Sequence, residues 1–269
     1  MNPIQPETEP AAAGSMHCLE VRGGNHQTNE VLDLTGLRLW VYCRPHGGEG
    51  KGGDVYYLSS CSMGRVTRGL LADVSGHGSE RSATALDLRR LMSENINCMD
   101  QTRLVQSVNR RFSALTEQGG FATALIWTFY APERSLRLSN AGHPSPLFYR
   151  HSSACWRFLE QTPADRSVVN DIPLGILSHA EYSQMDIVLR PGDLLLCYSD
   201  ALTDAMDRDG RRLGLAGLKQ LVRGLPAAEP HLLIPRLLEE LASRHAGNLH
   251  SDDATILLAQ VQSEAQERP

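Results

Sequence analysis

Leu70-Leu71-Ala72-Asp73-Val74-Ser75-Gly76-His77-Gly78 carries a strand-like apolar run onto a carboxylate and then breaks into a glycine-rich turn. A carboxylate at the end of a stretch built for a buried sheet is costly unless a cation or strong donors meet it. The pattern recurs along the chain. Leu194-Leu195-Leu196-Cys197-Tyr198-Ser199-Asp200 also ends an apolar run on aspartate, whereas Gly52-Gly53-Asp54 and Ser251-Asp252-Asp253-Ala254 open one. In an antiparallel sheet the start of one strand lies beside the end of its neighbour. Asp54, Asp73, Asp200 and Asp252 can therefore gather at one rim. Taken singly, each reads as a turn residue, because Asp is common beside Gly and Ser; taken together, they outline a metal site. Oxygen donors with no Cys or His at metal spacing favour Mg²⁺ or Mn²⁺ over Zn²⁺.

Working outward, Leu37, Leu39, Val41 and Cys43 alternate with Arg38, Trp40 and Tyr42, the period of a strand with one buried face. Strands are expected at 55–60 and 65–73, then a helix from Ser79 as N-cap to about Asn97 and a second over 102–117 with Leu104, Val105, Val108, Phe112 and Leu115 inward. Further strands are expected at 122–130, 135–139, 146–149, 156–159, 185–189, 193–198 and 254–260, and helices at 215–223 and 231–245. Many strands with helices in pairs imply an α/β (α+β) sandwich. Gly50-Lys51 does not make a phosphate loop, since Pro45 stands five residues before Gly50 and Gly52 follows the lysine.

The ordered series Gly-Gly-Asp (52–54), Ala-Asp-Val-Ser-Gly-His-Gly (72–78), Phe-Ala-Thr-Ala (121–124), Asn-Ala-Gly-His-Pro (140–144), Pro-Leu-Gly-Ile (173–176), Leu-x-Pro-Gly-Asp (189–193), Ser-Asp-Ala-Leu-Thr-Asp-Ala (199–205) and Asp-Asp-Ala-Thr (252–255) resembles the SpoIIE branch of the PPM, or type 2C, protein phosphatases. The resemblance spans roughly residues 37 to 260. It implies two packed antiparallel β-sheets flanked by helices and a binuclear Mg²⁺ or Mn²⁺ centre, with two ions, that activates water for attack on phosphorus. Carried over by position, Asp73 bridges the ions, Asp200 and Asp252 complete one, Asp54 serves the other, and the Val74 carbonyl is a further ligand. Asp253 competes with Asp252 for one role or orients a metal-bound water, and His77 either donates a proton to the leaving oxygen or shapes its turn. The chain departs from the branch at Tyr57, where an aspartate is often found, and at Ala201, where glycine is usual.

The resemblance further implies a phosphorylated protein substrate, such as an anti-sigma antagonist, in partner-switching signalling. The alternative is a catalytically weak regulatory binding module on the same fold, motivated by Tyr57 and Ala201. A nucleotide cyclase or kinase lacks its phosphate cradle and catalytic-loop signature. The 269 residues carry 41% hydrophobic and 21% charged side chains, and the net charge of -5 argues against nucleic acid held by phosphate attraction. Six scattered cysteines without CxxC read as reduced thiols of a cytoplasmic protein. There is no apolar run of the roughly 20 residues a membrane helix needs, and a homodimer is left open. The expected organisation is a leader over 1–36, partly disordered, one phosphatase domain over 37–262 and a short polar tail over 263–269, with regulatory input from elsewhere.

Overall fold

The computed structural model describes residues 14–16, 20–46, 50–61, 64–76, 78–116, 119–160 and 171–263. Thirteen strands and four α-helices form among them. The strands are β1 (Gly14–Ser15), β2 (Val21–Gly24), β3 (Thr28–Leu34), β4 (Leu37–Arg44), β5 (Asp54–Cys61), β6 (Val66–Val74), β7 (Ala122–Tyr130), β8 (Ser135–Ala141), β9 (Leu147–Arg150), β10 (Cys155–Phe158), β11 (Met185–Val188), β12 (Leu194–Tyr198) and β13 (Ala254–Val261). The helices are α1 (Gly78–Glu94), α2 (Gln101–Leu115), α3 (Gly214–Arg223) and α4 (Pro230–Arg244).

One sheet has the order β1-β3-β4-β13-β12-β9-β10, the other β11-β8-β7-β6-β5-β2. Pairing is antiparallel throughout except for the short β1, which runs parallel to β3. Period-two alternation sorts each strand's side chains into two cores. Leu39, Val41 and Cys43 of β4, Tyr56 and Leu58 of β5, Leu71 of β6, Leu195 and Cys197 of β12 and Leu257 of β13 meet between the sheets. The opposite faces pack under α3 and α4 on one side and under α1 and α2 on the other. The molecule is thus a four-layer sandwich, helices outside and sheets inside.

The structure adds strands where no period was visible. β2 and β3 lie inside the segment expected as a leader, β2 pairing with β5 and β3 with β4, so the sheets begin upstream of residue 37. Two helix expectations also shift. Helix α1 starts at Gly78, which puts Ser79 inside it, and its buried face is Ser82, Ala85, Leu88, Leu91 and Met92. The α2 cap is Asp100, whose side chain accepts from the Arg103 amide, and Leu115 at its last turn is half exposed. Among the described residues no helix is long and apolar enough to cross a membrane. All five cysteines described are free thiols, and burial pushes the Cys43 thiol up to about 12.

Not every motif aspartate belongs to the site. Asp193 is fully buried at the start of β12 and accepts from Arg150 Nη1 (2.5 Å) and from the backbone amides of Arg190 (2.8 Å) and His151 (2.9 Å). It ties the β11–β12 turn to β9. Removing one partner of such a pair leaves the other desolvated, so Asp193→Ala should lower unfolding free energy by about 3 kcal/mol in urea titrations.

Candidate metal centre

Strand register brings the aspartates together. Asp54 opens β5 directly opposite Asp73 near the end of β6. Both share the parity of Tyr56, Leu58 and Leu71, so both face the gap between the sheets. From the other sheet, Asp252 and Asp253 precede β13, and Asp200 follows β12, whose Tyr198 pairs with Ile256. Four strand ends from two sheets therefore meet at one rim of the inter-sheet core.

Asp253 is almost wholly buried, and both its oxygens are taken by backbone amides: Oδ1 by His46 (2.6 Å), Oδ2 by Gly53 (2.6 Å) and Asp54 (3.2 Å). It pins the loop before β5 against β13. Asn25 holds the same loop from the other side, its Nδ2 donating to the Gly52 carbonyl (2.8 Å) and the Ser82 carbonyl (3.0 Å) of α1. A Cβ at Gly52 would lie 2.6 Å from the Asp253 carboxylate, so the loop can approach this closely only as glycine.

Arg81 lies at the centre of the cluster. Its Nε donates to the Val74 carbonyl (2.7 Å) and its Nη2 to Asp73 Oδ1 (2.6 Å). Nη1 lies 3.6 Å from Asp252 Oδ1 and Nη2 3.4 Å from Asp253 Oδ2. One guanidinium thus serves several carboxylates. Asp54 stays outside its reach, 1% exposed, with Oδ2 buried and without a hydrogen-bond partner.

The charge imbalance shows in the proton affinities. Burial, then repulsion from Asp73 and Asp253, holds the Asp54 carboxyl well above the usual carboxylate range. Asp73 is raised as well, by burial that outweighs its bond to Arg81. Burial, with Asp73 and Asp252 nearby, pushes Asp200 up to about 6. Groups that resist ionisation without a counter-charge form a donor set suited to hard divalent cations. Yet among the described residues no three His, Cys, Asp or Glu side chains frame a single coordination point. Asp73 and Asp252 are directed at the guanidinium instead.

Residues 64–262 match the family model described as Stage II sporulation protein E (SpoIIE). The chain belongs to the SpoIIE family. It is 22% identical over 194 residues to the phosphoserine phosphatase RsbU of Bacillus subtilis (strain 168), covering 70% of this chain and 54% of that protein. The chain thus spans about half the length of this curated relative. The fold superposes on the RsbU and RsbW domains of Rv1364c from Mycobacterium tuberculosis with a TM-score of 0.70 at 24% identity, covering 86% of this chain and 62% of that one. It also superposes on the PP2C phosphatase domain and regulatory fragment of Bacillus subtilis SpoIIE (0.65, 17%, 91% and 64%). A third neighbour is RsbX in complex with magnesium (0.62, 16%, 87% and 100%). The two-sheet sandwich flanked by four helices is therefore the PP2C-type fold.

Within this SpoIIE-family site, Asp54, Asp73, Val74, Asp200, Asp252 and Asp253 occupy one rim, while His77 lies outside the described residues. Tyr57 is three residues after Asp54 and so faces the other way, buried in the helix-side core with Leu70 and Leu88. That departure does not reach the carboxylates. His143 is buried too, its Nε2 meeting the Tyr198 carbonyl (3.1 Å) and its Nδ1 the Thr123 hydroxyl (2.8 Å), and burial lowers it to about 4. A neutral ring donating to Tyr198 and accepting from Thr123 bridges the two sheets. Arg81 escaped the sequence reading, although a cation in the first turn of a helix opposes the macrodipole and calls for acidic neighbours.

The Asp200 shift has a definite sign. A carboxyl whose folded pKa lies above its unfolded value binds more protons in the folded state. Its contribution is fully unfavourable above about pH 6 and fades as pH falls from about 6 towards the ordinary carboxylate value of 3.8. In chelator, Asp200→Asn should therefore stabilise the protein near neutral pH and do so much less near pH 4, as read by urea unfolding at the two pH values. Equal effects at both would remove the burial argument for this residue.

Proposed function

We propose that this chain is a Mg²⁺- or Mn²⁺-dependent phosphoserine/phosphothreonine protein phosphatase. The observation that carries it is the convergence of Asp54, Asp73, Asp200 and Asp252 on one rim, with Asp54 Oδ2 buried and unpartnered. Family membership supports the same reading. In this proposal Asp54, Asp73, Asp200 and Asp252 would hold the cations, with the Val74 carbonyl as a neutral oxygen donor. Bound cations supply an acidified water and neutralise charge on the phosphoryl oxygens.

The chain's own residues prepare that site. Asp253 spends both oxygens on the His46, Gly53 and Asp54 amides, which suits it to hold Asp54 rather than a metal-bound water. The direct pairing of Asp54 with Asp73 keeps two carboxylates adjacent against their repulsion. His77 is assigned the proton delivered to the leaving serine or threonine oxygen. The substrate is a phosphorylated regulatory protein, an anti-sigma antagonist in a partner-switching pathway, in keeping with the relative named as a phosphoserine phosphatase. Free thiols, including the exposed Cys155, fit action in the reducing cytoplasm. One observation favours the second reading, a weak regulatory module: Arg81 engages Asp73 and Val74, two of the proposed ligands.

Phosphate release from phosphoserine peptides and proteins with Mn²⁺ or Mg²⁺ tests the proposal. Activity should vanish in chelator and fall by at least about 100-fold in Asp73→Asn, since even groups behind the ligands cost 10–100-fold in such sites. Undiminished activity in Asp73→Asn would defeat the assignment. Metal binding without turnover on any substrate would favour the regulatory module.

A further inference from the structure

We infer that Arg81 is a tethered counter-cation that competes with divalent metal for the carboxylate rim, so that metal loading requires its guanidinium to withdraw. The inference rests on the proposed metal-dependent reading of the site and adds a residue that sets its metal affinity.

Three independent features place the guanidinium by construction. First, its contacts are the proposed ligands themselves: Asp73 at 2.6 Å, the Val74 carbonyl at 2.7 Å and Asp252 at 3.6 Å. A cation and a guanidinium cannot use the same oxygens at once, and positive charges repel at this range. Second, the lane it crosses is open only because residue 53 is glycine. A Cβ there would lie 1.6 Å from Arg81 Nε and 2.3 Å from Cζ. Third, Arg81 sits in the first turn of α1, where the helix dipole disfavours a cation. Its position is stabilised by the acidic rim, not by the helix.

The same features explain why no three-ligand frame exists among the described residues. The rim is organised around a monovalent planar cation. Arg81 neutralises Asp73 and screens Asp252 and Asp253, but leaves Asp54 Oδ2 without a hydrogen-bond partner. Replacement by divalent ions would satisfy Asp54 as well, at the cost of the Arg81 bonds. The side chain is not sealed in, with 17% of its surface exposed.

The test is Mn²⁺ binding followed by electron paramagnetic resonance and calorimetry, comparing wild type with Arg81→Ala and Arg81→Gln. The glutamine keeps a donor for the Val74 carbonyl but removes the charge. Losing a charge-assisted bond that metal must break should tighten Mn²⁺ binding on the order of tenfold or more in both variants. In chelator both variants should melt below wild type, and saturating Mn²⁺ should recover more of their stability than it does for wild type. Unchanged or weaker Mn²⁺ affinity in both overturns the inference while leaving the phosphatase reading intact, and a raised KM for phosphopeptide in that case reassigns the guanidinium to substrate. Tighter binding without phosphate release on any substrate upholds the inference and removes the phosphatase. No Mn²⁺ binding by any form overturns both.

Discussion

Carboxylates held at the dry rim of an inter-sheet core are the constraint on which the rest of this structure turns. Taking such groups out of water costs several kcal/mol each unless donors or cations repay it. The chain meets that cost in three different ways within one cluster. Asp253 is repaid by three backbone amides, Asp73 by a guanidinium, and Asp54 by no direct donor to its Oδ2. The gradient from satisfied to unsatisfied runs from scaffold towards chemistry. Asp253 fixes the loop that presents Asp54, and Asp54 bears the burial that makes it a ready ligand.

The fold follows from keeping that rim in place. Each sheet contributes the end of one strand and the start of its neighbour, so antiparallel pairing alone sets Asp54 against Asp73 and Asp200 near Asp252. The central strands are continuous apolar runs because both faces are buried, one against the second sheet and one under helices. His143 then links the sheets behind the carboxylates through Thr123 and Tyr198. The site is thereby built at and just beyond strand ends.

Much of this was legible in the residue pattern, and the reasons it failed elsewhere are local. Strand β7 was bounded correctly because nine apolar and β-branched residues sit between glycines and proline. β2 escaped because Val21–Gly24 ends in two glycines, which carry no side-chain period. Those glycines are demanded by contact: a Cβ at Gly23 would lie 2.3 Å from the Tyr56 carbonyl. β3 mixes Thr28, Asn29 and Glu30 with apolar residues, as befits a strand near the sheet edge. The departure at Tyr57 looked relevant by spacing, but three residues along a strand reverses the face. Asp193 shows the converse: the aspartate of the Leu-x-Pro-Gly-Asp motif serves Arg150 and two amides at another turn.

Arg81 is where local rules conflict and function supplies the resolution. Helix propensity tolerates arginine, but the first turn of α1 disfavours its charge, and the groove it fills excludes any Cβ at residue 53. A sequence optimised for helix stability alone would place an acidic residue there, as Glu80 beside it does. Such a residue would add a further negative charge to a rim that already holds five aspartates, and the metal-free state would bear that repulsion undiminished. A neutral side chain would leave Asp73 buried without its strongest partner. Arginine instead lets the apo rim fold with its charges partly balanced, while its exposed edge leaves the balance reversible. The guanidinium is therefore best understood as part of the folding solution for the rim, one that a more highly charged ligand must displace.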